Sequence, residues 1–356
     1  VINWSNKGEK IRNQKNSQMI EKGWEFKEGV TLSTRSVKGA SARFLDSEWL
    51  FDMAASSIIT IKDNCTNLIL SYSNSTLFNY ILDSLNPTVN IQPEDIRRVP
   101  FIVPPELVCN NLSALTAENV SIKKKLCSFR TIEINYLKNP LLTFMDTVLK
   151  DRVLSYLNYE NLNLAKVLLN EAVINQLIFK VYELSEEDRQ LVEGKMGKSV
   201  GELGITKEAF INYNIEIGNG GVNLNPITNE HWKSLPIIDI EEAKKQQIIA
   251  ELPYLFQTNN DLEEFCIRHQ VNPINVWYWF KESRVLPQAR AAEIALEFLA
   301  DAFRTILMAD EDGIVPLVGL PGEPKLMDRF EEYCYNNGFT SAQIMQLDSL
   351  VGRPLN

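Results

Sequence analysis

Seven side chains within the first hundred residues are of types that can hold and read a nucleic acid: Arg35, Lys38, Arg43, Asn90, Gln92, Arg97 and Arg98. Arginine offers a planar fork of donors that fits a guanine edge, and Asn or Gln can bond an adenine edge in two places. Lysine, serine and arginine suit phosphate oxygens, which fix position rather than sequence. The spacing matters as much as the types. Arg35, Lys38 and Arg43 lie in "STRSVKGASARF" (33–44), small polar residues that let a backbone approach a partner closely. No run of acids nearby neutralises them. Asn90, Gln92, Arg97 and Arg98 lie in "LNPTVNIQPEDIRRVPFIVPP" (85–105), whose five prolines stiffen its path. Each also has a blander role open to it. Asn90 and Gln92 can satisfy backbone groups of a proline-rich loop. Arg97 and Arg98 can pair with Glu94 and Asp95 on a solvated surface.

The elements around these residues come from periodicity and turn signals. "WLFDM" (49–53), "SSIITI" (56–61) and "NLILSYS" (67–73) read as strands. "NSTLFNYILDSL" (74–85) reads as a helix capped by Asn74 or Ser75 and stopped at Asn86-Pro87. From about 106 to 213 the pattern is helical. The clearest stretch is 163–184, with a broad apolar face, followed by a helix starting at Ser185 with acids in its first turn. "NIEIGNGGVNLNPITNEHW" (214–232) is a Gly/Asn-rich break, and more helices follow it, notably 286–308. The expected fold is an α/β (α+β) domain with a mixed sheet at 1–107, a helical spacer at 108–215 and a linker at 216–239. An acidic helical domain at 240–356 completes it.

Charge follows the same division. The net charge of −10 resolves into zero over 1–107, −2 over 108–239 and −8 over 240–356. Acidity therefore does not exclude an anionic partner for the first part, whose cations can still share one face. The chain's 45% hydrophobic content suits a globular fold. No run of 18 apolar residues suggests a membrane span. Five scattered cysteines, with no Cys-x-x-Cys, indicate neither a zinc site nor a disulfide framework and fit a reducing, cytoplasmic compartment.

Catalytic chemistry finds little support. There is no Gly-x-Gly-x-x-Gly and no phosphate-binding Gly-x-x-x-x-Gly-Lys. His231 and His269 stand apart from any nucleophile. Glu193 and Lys195 match the end of a nuclease metal motif but lack its preceding acid, so a solvated helix end is the better reading. "LVGLPGEP" (317–324) reads as a turn. Trp277, Tyr278, Trp279 and Phe280 could stack on bases but, at helical spacing, are expected in a core.

Several longer stretches together resemble the C-terminal part of the PglX-type adenine-specific DNA methyltransferases of BREX phage-exclusion systems, relatives of the restriction-modification methyltransferases. They are "VINWSNKGEKIRN" (1–13), "WEFKEGVTLSTRS" with "ASARFLDSEWLFDMAASSI" (24–58), "LNPTVNIQPEDIRRVP", "NPINVWYWFKES" and "ADAFRTILMADEDGIVPLVGLPGEP". The resemblance implies a target-recognition domain for double-stranded DNA, with the seven residues above as its contacts. That family methylates adenine through an Asn-Pro-Pro-Tyr type motif. Here Asn-Pro at 86, 139, 225 and 272 is followed by Thr, Leu, Ile and Ile. The catalytic domain is therefore expected outside this sequence, and S-adenosylmethionine is implied for the full-length parent rather than for this part. The competing expectation is an interaction module that docks other defence proteins through its acidic helices without touching DNA.

Overall fold

The computed structural model describes residues 4–15, 23–35, 39–51, 55–61, 65–255 and 262–352. They form two compact units, one of residues 1–120 and 170–199 and the other of 121–169 and 200–356.

The first unit starts with α1 (Ser5–Arg12), followed by β1 (Gly29–Ser33), β2 (Ala42–Leu45) and β3 (Ala55–Ile59). The three strands form one sheet in the order β2-β1-β3. Both pairings are antiparallel: Thr31 of β1 faces Arg43 on one side and Ser57 on the other. An α/β start with a helical remainder matches the expectation, but the described sheet is antiparallel rather than mixed. Its strands are four or five residues long, and among the described residues no helix lies between them. A parallel pair would need a crossover. Alternation puts Val30, Leu32 and Ala42 in the core and leaves Arg43 on the exposed face.

Next come α2 (Thr66–Ser73), α3 (Thr76–Leu85), α4 (Pro93–Arg98) and α5 (Glu106–Cys127). The strand expected at 67–73 is α2. Thr66, Leu68, Leu70, Ser71, Tyr72 and Ser73 are all buried there, and a short helix buried on most sides shows no helical period. Of the strand expected at 49–53, residues 49–51 are irregular and 52–53 lie outside the described residues. The helix at 74–85 forms as read, with Ser75 accepting from the Phe78 N–H at 3.1 Å.

The second unit holds a continuous core running from Phe129 to Leu350. The helices that follow α5 in the chain are α6 (Pro140–Thr143), α7 (Leu149–Val181), α8 (Glu186–Met196), α9 (Lys207–Gly218), α10 (Pro226–Ser234) and α11 (Glu242–Glu251). They continue with α12 (Leu262–His269), α13 (Pro273–Ser283), α14 (Gln288–Ala309), α15 (Leu326–Asn336) and α16 (Ser341–Val351). Of these, α8 belongs to the first unit, and α7 contributes residues to both. The Asn-Pro dipeptides have a structural purpose. Asn139, Asn225 and Asn272 each cap a helix, α6, α10 and α13, accepting from the N–H two residues on at 2.9, 3.2 and 2.9 Å. Proline at the first helical position loses no intrahelical bond. As expected, Trp277, Trp279 and Phe280 are core residues, with Tyr278 packed against them. No helix among the described residues is long and apolar enough to cross a membrane.

Candidate nucleic-acid interface

The sheet's register fixes where the sequence-predicted residues stand. Beyond Ser33, β1 runs on to Thr34 and Arg35, which meet the loop between α3 and α4. The Ile91 N–H donates to the Thr34 carbonyl at 2.8 Å, and Arg35 and Asn90 form an antiparallel bridge. Arg35 Nε also donates to Asn90 Oδ1 at 3.0 Å. Residues 55 positions apart are thus joined at one end of the sheet.

The loop is built around Asn86. Its Oδ1 accepts from the Thr88 N–H at 3.0 Å and the Thr88 hydroxyl at 2.7 Å. Its Nδ2 donates to the Asn90 carbonyl at 2.8 Å and to Asp95 Oδ2 at 2.6 Å. Asp95 in turn accepts from the Gln92 N–H at 2.9 Å, which caps α4. These bonds, from the Gln92 backbone first and then Asn86, hold the Asp95 carboxyl below the usual carboxylate range, and the nearby Arg98 charge adds to the effect. Ile91 is buried and anchors the loop, while Asn90 and Gln92 remain exposed.

On α4, acids occupy the first turn and Arg97 and Arg98 the last, an order that suits the helix dipole. Arg97 pairs with Glu94 at 2.9 Å, both ends largely exposed, so the bond holds it weakly. Arg43 is exposed on β2, across from Thr31. Thr31 and Arg35 are four positions apart along the strand, about 13 Å. Lys38 lies outside the described residues. Arg35, Asn90 and Gln92 are therefore brought together, Arg97 and Arg98 follow one helical turn on, and Arg43 stands apart on the sheet face.

Close approach at this end leaves little room. A Cβ on Gly39 would fall 2.7 Å from Asn79 Oδ1, and Gly39 has φ +89°, so glycine is required there. At the β2 edge, Asn74 bonds the Ala42 backbone twice, at 2.9 and 3.0 Å, as a short extra strand would. At the opposite end of the sheet, Gly29 pairs with Leu45 and Ile59. The segments leaving there expose Trp24, Phe26 and Trp49, with Lys27 Nζ 4.9 Å from the Trp24 ring centre. Sequence reasoning missed both this aromatic end and the part played by Asn86. The signal for the first was two tryptophans beside lysine and glutamate in "KGWEFKEG" and "SEWLF".

The other chemical candidates are occupied. Glu193 bonds Arg189 at 2.7 Å, and Lys195 pairs with Asp83. His231 is buried against the Gly201 carbonyl at 3.0 Å, and His269 lies 3.2 Å from Glu251. Leu320 and Glu323 exchange backbone bonds around Pro321-Gly322, the expected turn. Among the described residues no three His, Cys, Asp or Glu side chains gather to hold a metal.

No family model matches the chain. Over 183 residues it is 26% identical to the adenine-specific methyltransferase BrxX of Escherichia coli O9:H4 (strain HS). Half of the chain is similar to a methyltransferase. The match takes in 51% of this chain and only 15% of BrxX, so the chain spans a small part of the relative's length.

Proposed function

We propose that the first unit is the DNA-recognition part of a site-specific adenine-N6 DNA methyltransferase of a phage-defence system. The similarity to BrxX supplies the methyltransferase relation, and the sequence stretches resembling PglX supply the place within it. The observation that carries the reading is the Arg35–Asn90 pair. Arg35 spends Nε on Asn90 and keeps its two terminal nitrogens without a partner among the described residues. Asn90 gives one lone pair of Oδ1 to that bond and keeps its amide N–H groups. The pair thus keeps several N–H donors on exposed side chains, which suits the acceptor pair of a guanine or a phosphate.

Arg98 and Arg97 take phosphates at the loop's exit, with Arg97 giving up an exposed ion pair that contributes at most about 1 kcal/mol. Arg43 reaches the backbone from the sheet face, and Lys38 and Gln92 complete the set. Arg35→Ala and Arg43→Ala separate these parts. Loss of a base contact relaxes specificity at one position and costs about 1–3 kcal/mol. Loss of a phosphate contact weakens every duplex alike. If both variants bind duplex as the wild type does, the recognition surface lies elsewhere.

A second reading, an interaction module, is favoured by the second unit's exposed apolar side chains, among them Leu317 and Val318. It concerns a different surface, and both readings can hold.

A further inference from the structure

Two exposed patches lie along α14, and their charges are opposite. The first is the end of α5 and the loop after it. Residues 123–138 carry five cations, Lys123, Lys124, Lys125, Arg130 and Lys138, against one carboxylate, Glu133. Between them Ile132, Ile134 and Leu137 are 79, 70 and 73% exposed. The loop is firmly held. Arg130 bonds Glu293 at 2.5 Å and Glu297 at 3.1 Å, Tyr136 bonds Asp301 at 2.8 Å, and the Leu137 N–H reaches the Ser128 carbonyl at 2.9 Å. Its apolar side chains are therefore displayed on an ordered frame.

The second patch begins where α14 ends. Residues 304–332 carry seven carboxylates against three cations. Met308, Ile314, Leu317 and Val318 are 75, 70, 78 and 76% exposed. This segment is ordered too. Asp310 accepts from the Gly313 N–H at 3.1 Å and from Arg329 at 2.6 Å, and the Leu326 N–H bonds the Pro316 carbonyl at 2.8 Å. Asp301 and Ala309 are eight residues apart on α14, about 12 Å, so the patches sit at successive stations of one helix.

Large exposed apolar groups on ordered backbone mark an interface. A two-fold dimer requires one self-complementary surface, since each residue meets its partner's counterpart in reverse order. Arg130 is neutralised by Glu293 and Glu297 within the chain, so Lys123, Lys124, Lys125 and Lys138 make one end of the surface basic and apolar, while the other is acidic and apolar. We infer that a second copy of this chain docks on it, with the two α14 helices antiparallel. Lys123 and Lys138 of each copy then face the carboxylates around Glu311 and Glu323 of the other, and the isoleucines and leucines meet between them. The inference does not depend on DNA recognition by the first unit.

Light scattering and sedimentation of the full chain over a concentration series test it. The wild type should form a dimer that weakens with salt. The basic-end variant K123E/K138E and the acidic-end variant E311K/E323K should each lower dimer affinity about tenfold or more, because like charges then face each other. Two outcomes are particular to the antiparallel pairing. A chain carrying all four reversals should dimerise again, and the two double variants, mixed, should form a heterodimer. Leu317→Asp should abolish the dimer with the melting temperature unchanged. A wild type that stays monomeric at every concentration overturns the inference. So does a four-reversal chain that fails to dimerise while melting as the wild type does.

Discussion

The same dipeptide, Asn-Pro, does opposite things in two regions of this protein. At 139, 225 and 272, in the second unit, it starts helices. At 86 it ends one. Asn139 and Asn272 are fully buried, and Asn272 also donates to the Leu203 carbonyl at 2.8 Å. Their amides are consumed in holding helix starts within a core. Asn86, half-buried, turns its amide into the loop and ties Thr88, Asn90 and Asp95 together. One region spends its polar bonds on packing. The other spends them on the path of an exposed loop, leaving the terminal groups of Arg35 and Asn90 outward. What the dipeptide does is decided by which side of it carries helical periodicity.

That contrast can be broken by stability measurements. Asn272→Ala should have the largest effect, since it removes the cap of the buried Ile274 N–H and the partner of the half-buried Leu203 carbonyl. Cap loss costs about 0.5–2 kcal/mol, and loss of the Leu203 bond adds roughly 0.5–1.5 kcal/mol, the net value of an ordinary hydrogen bond. A marked drop in melting temperature is the expected readout. Asn86→Ala should lower stability by less than about 1 kcal/mol, because half-exposed groups find water instead, yet it should weaken duplex binding by freeing the loop. Equal melting losses in the two variants would dissolve the distinction.

Limited proteolysis sharpens the comparison further. The Gly/Asn-rich segment after α9, with Asn219, Gly220 and Gly221 exposed, should be cut before the bonded loop at 86–92, as small polar residues with few buried contacts open first. Earlier cleavage within 86–92 would show the loop is not rigid.

The smallest effect is pH-dependent. The Asp95 carboxyl is lowered in the fold, so its contribution is present above the unfolded value of about 4 and is lost as pH falls through the lower folded value. The Asn86 and Gln92 bonds should therefore persist at neutral pH and loosen only below about pH 4. Amide chemical shifts of Gln92 and Asn90 would follow this, and Asn86→Ala should raise the midpoint toward the ordinary carboxylate value.

How much of this was legible in the sequence depended on distance along the chain. Ser75 and Ser185 were readable as caps because each bonds an N–H three residues on, at 3.1 Å in both cases. The burial of Trp277 and Phe280 followed from helical spacing. Helix α2 was not readable, because burial on most sides erased its period. The Asn-Pro caps at 139, 225 and 272 were noted only for lacking a catalytic motif, although Asn before Pro is itself a helix-start signal. At the candidate site, residue types pointed to Arg35 and Asn90 separately. Their bond spans 55 positions and depends on where the sheet ends, which no local pattern encodes. The exposed Trp24 and Trp49 were missed for a related reason, since only the strand register places them at one end.

The proposed recognition requires the donors at the end of β1 to face a DNA backbone or base edge. The most direct test is the salt dependence of duplex binding by the full chain, measured by fluorescence anisotropy from roughly 50 to 200 mM salt. Wild type should bind with a linear fall of log affinity against log salt. The variant R97A/R98A should flatten the slope by about two phosphate contacts, and Arg35→Ala should either flatten it by about one or lower affinity for one sequence alone. Binding whose slope and sequence preference are unchanged in all of these variants, with folding intact, would contradict the account.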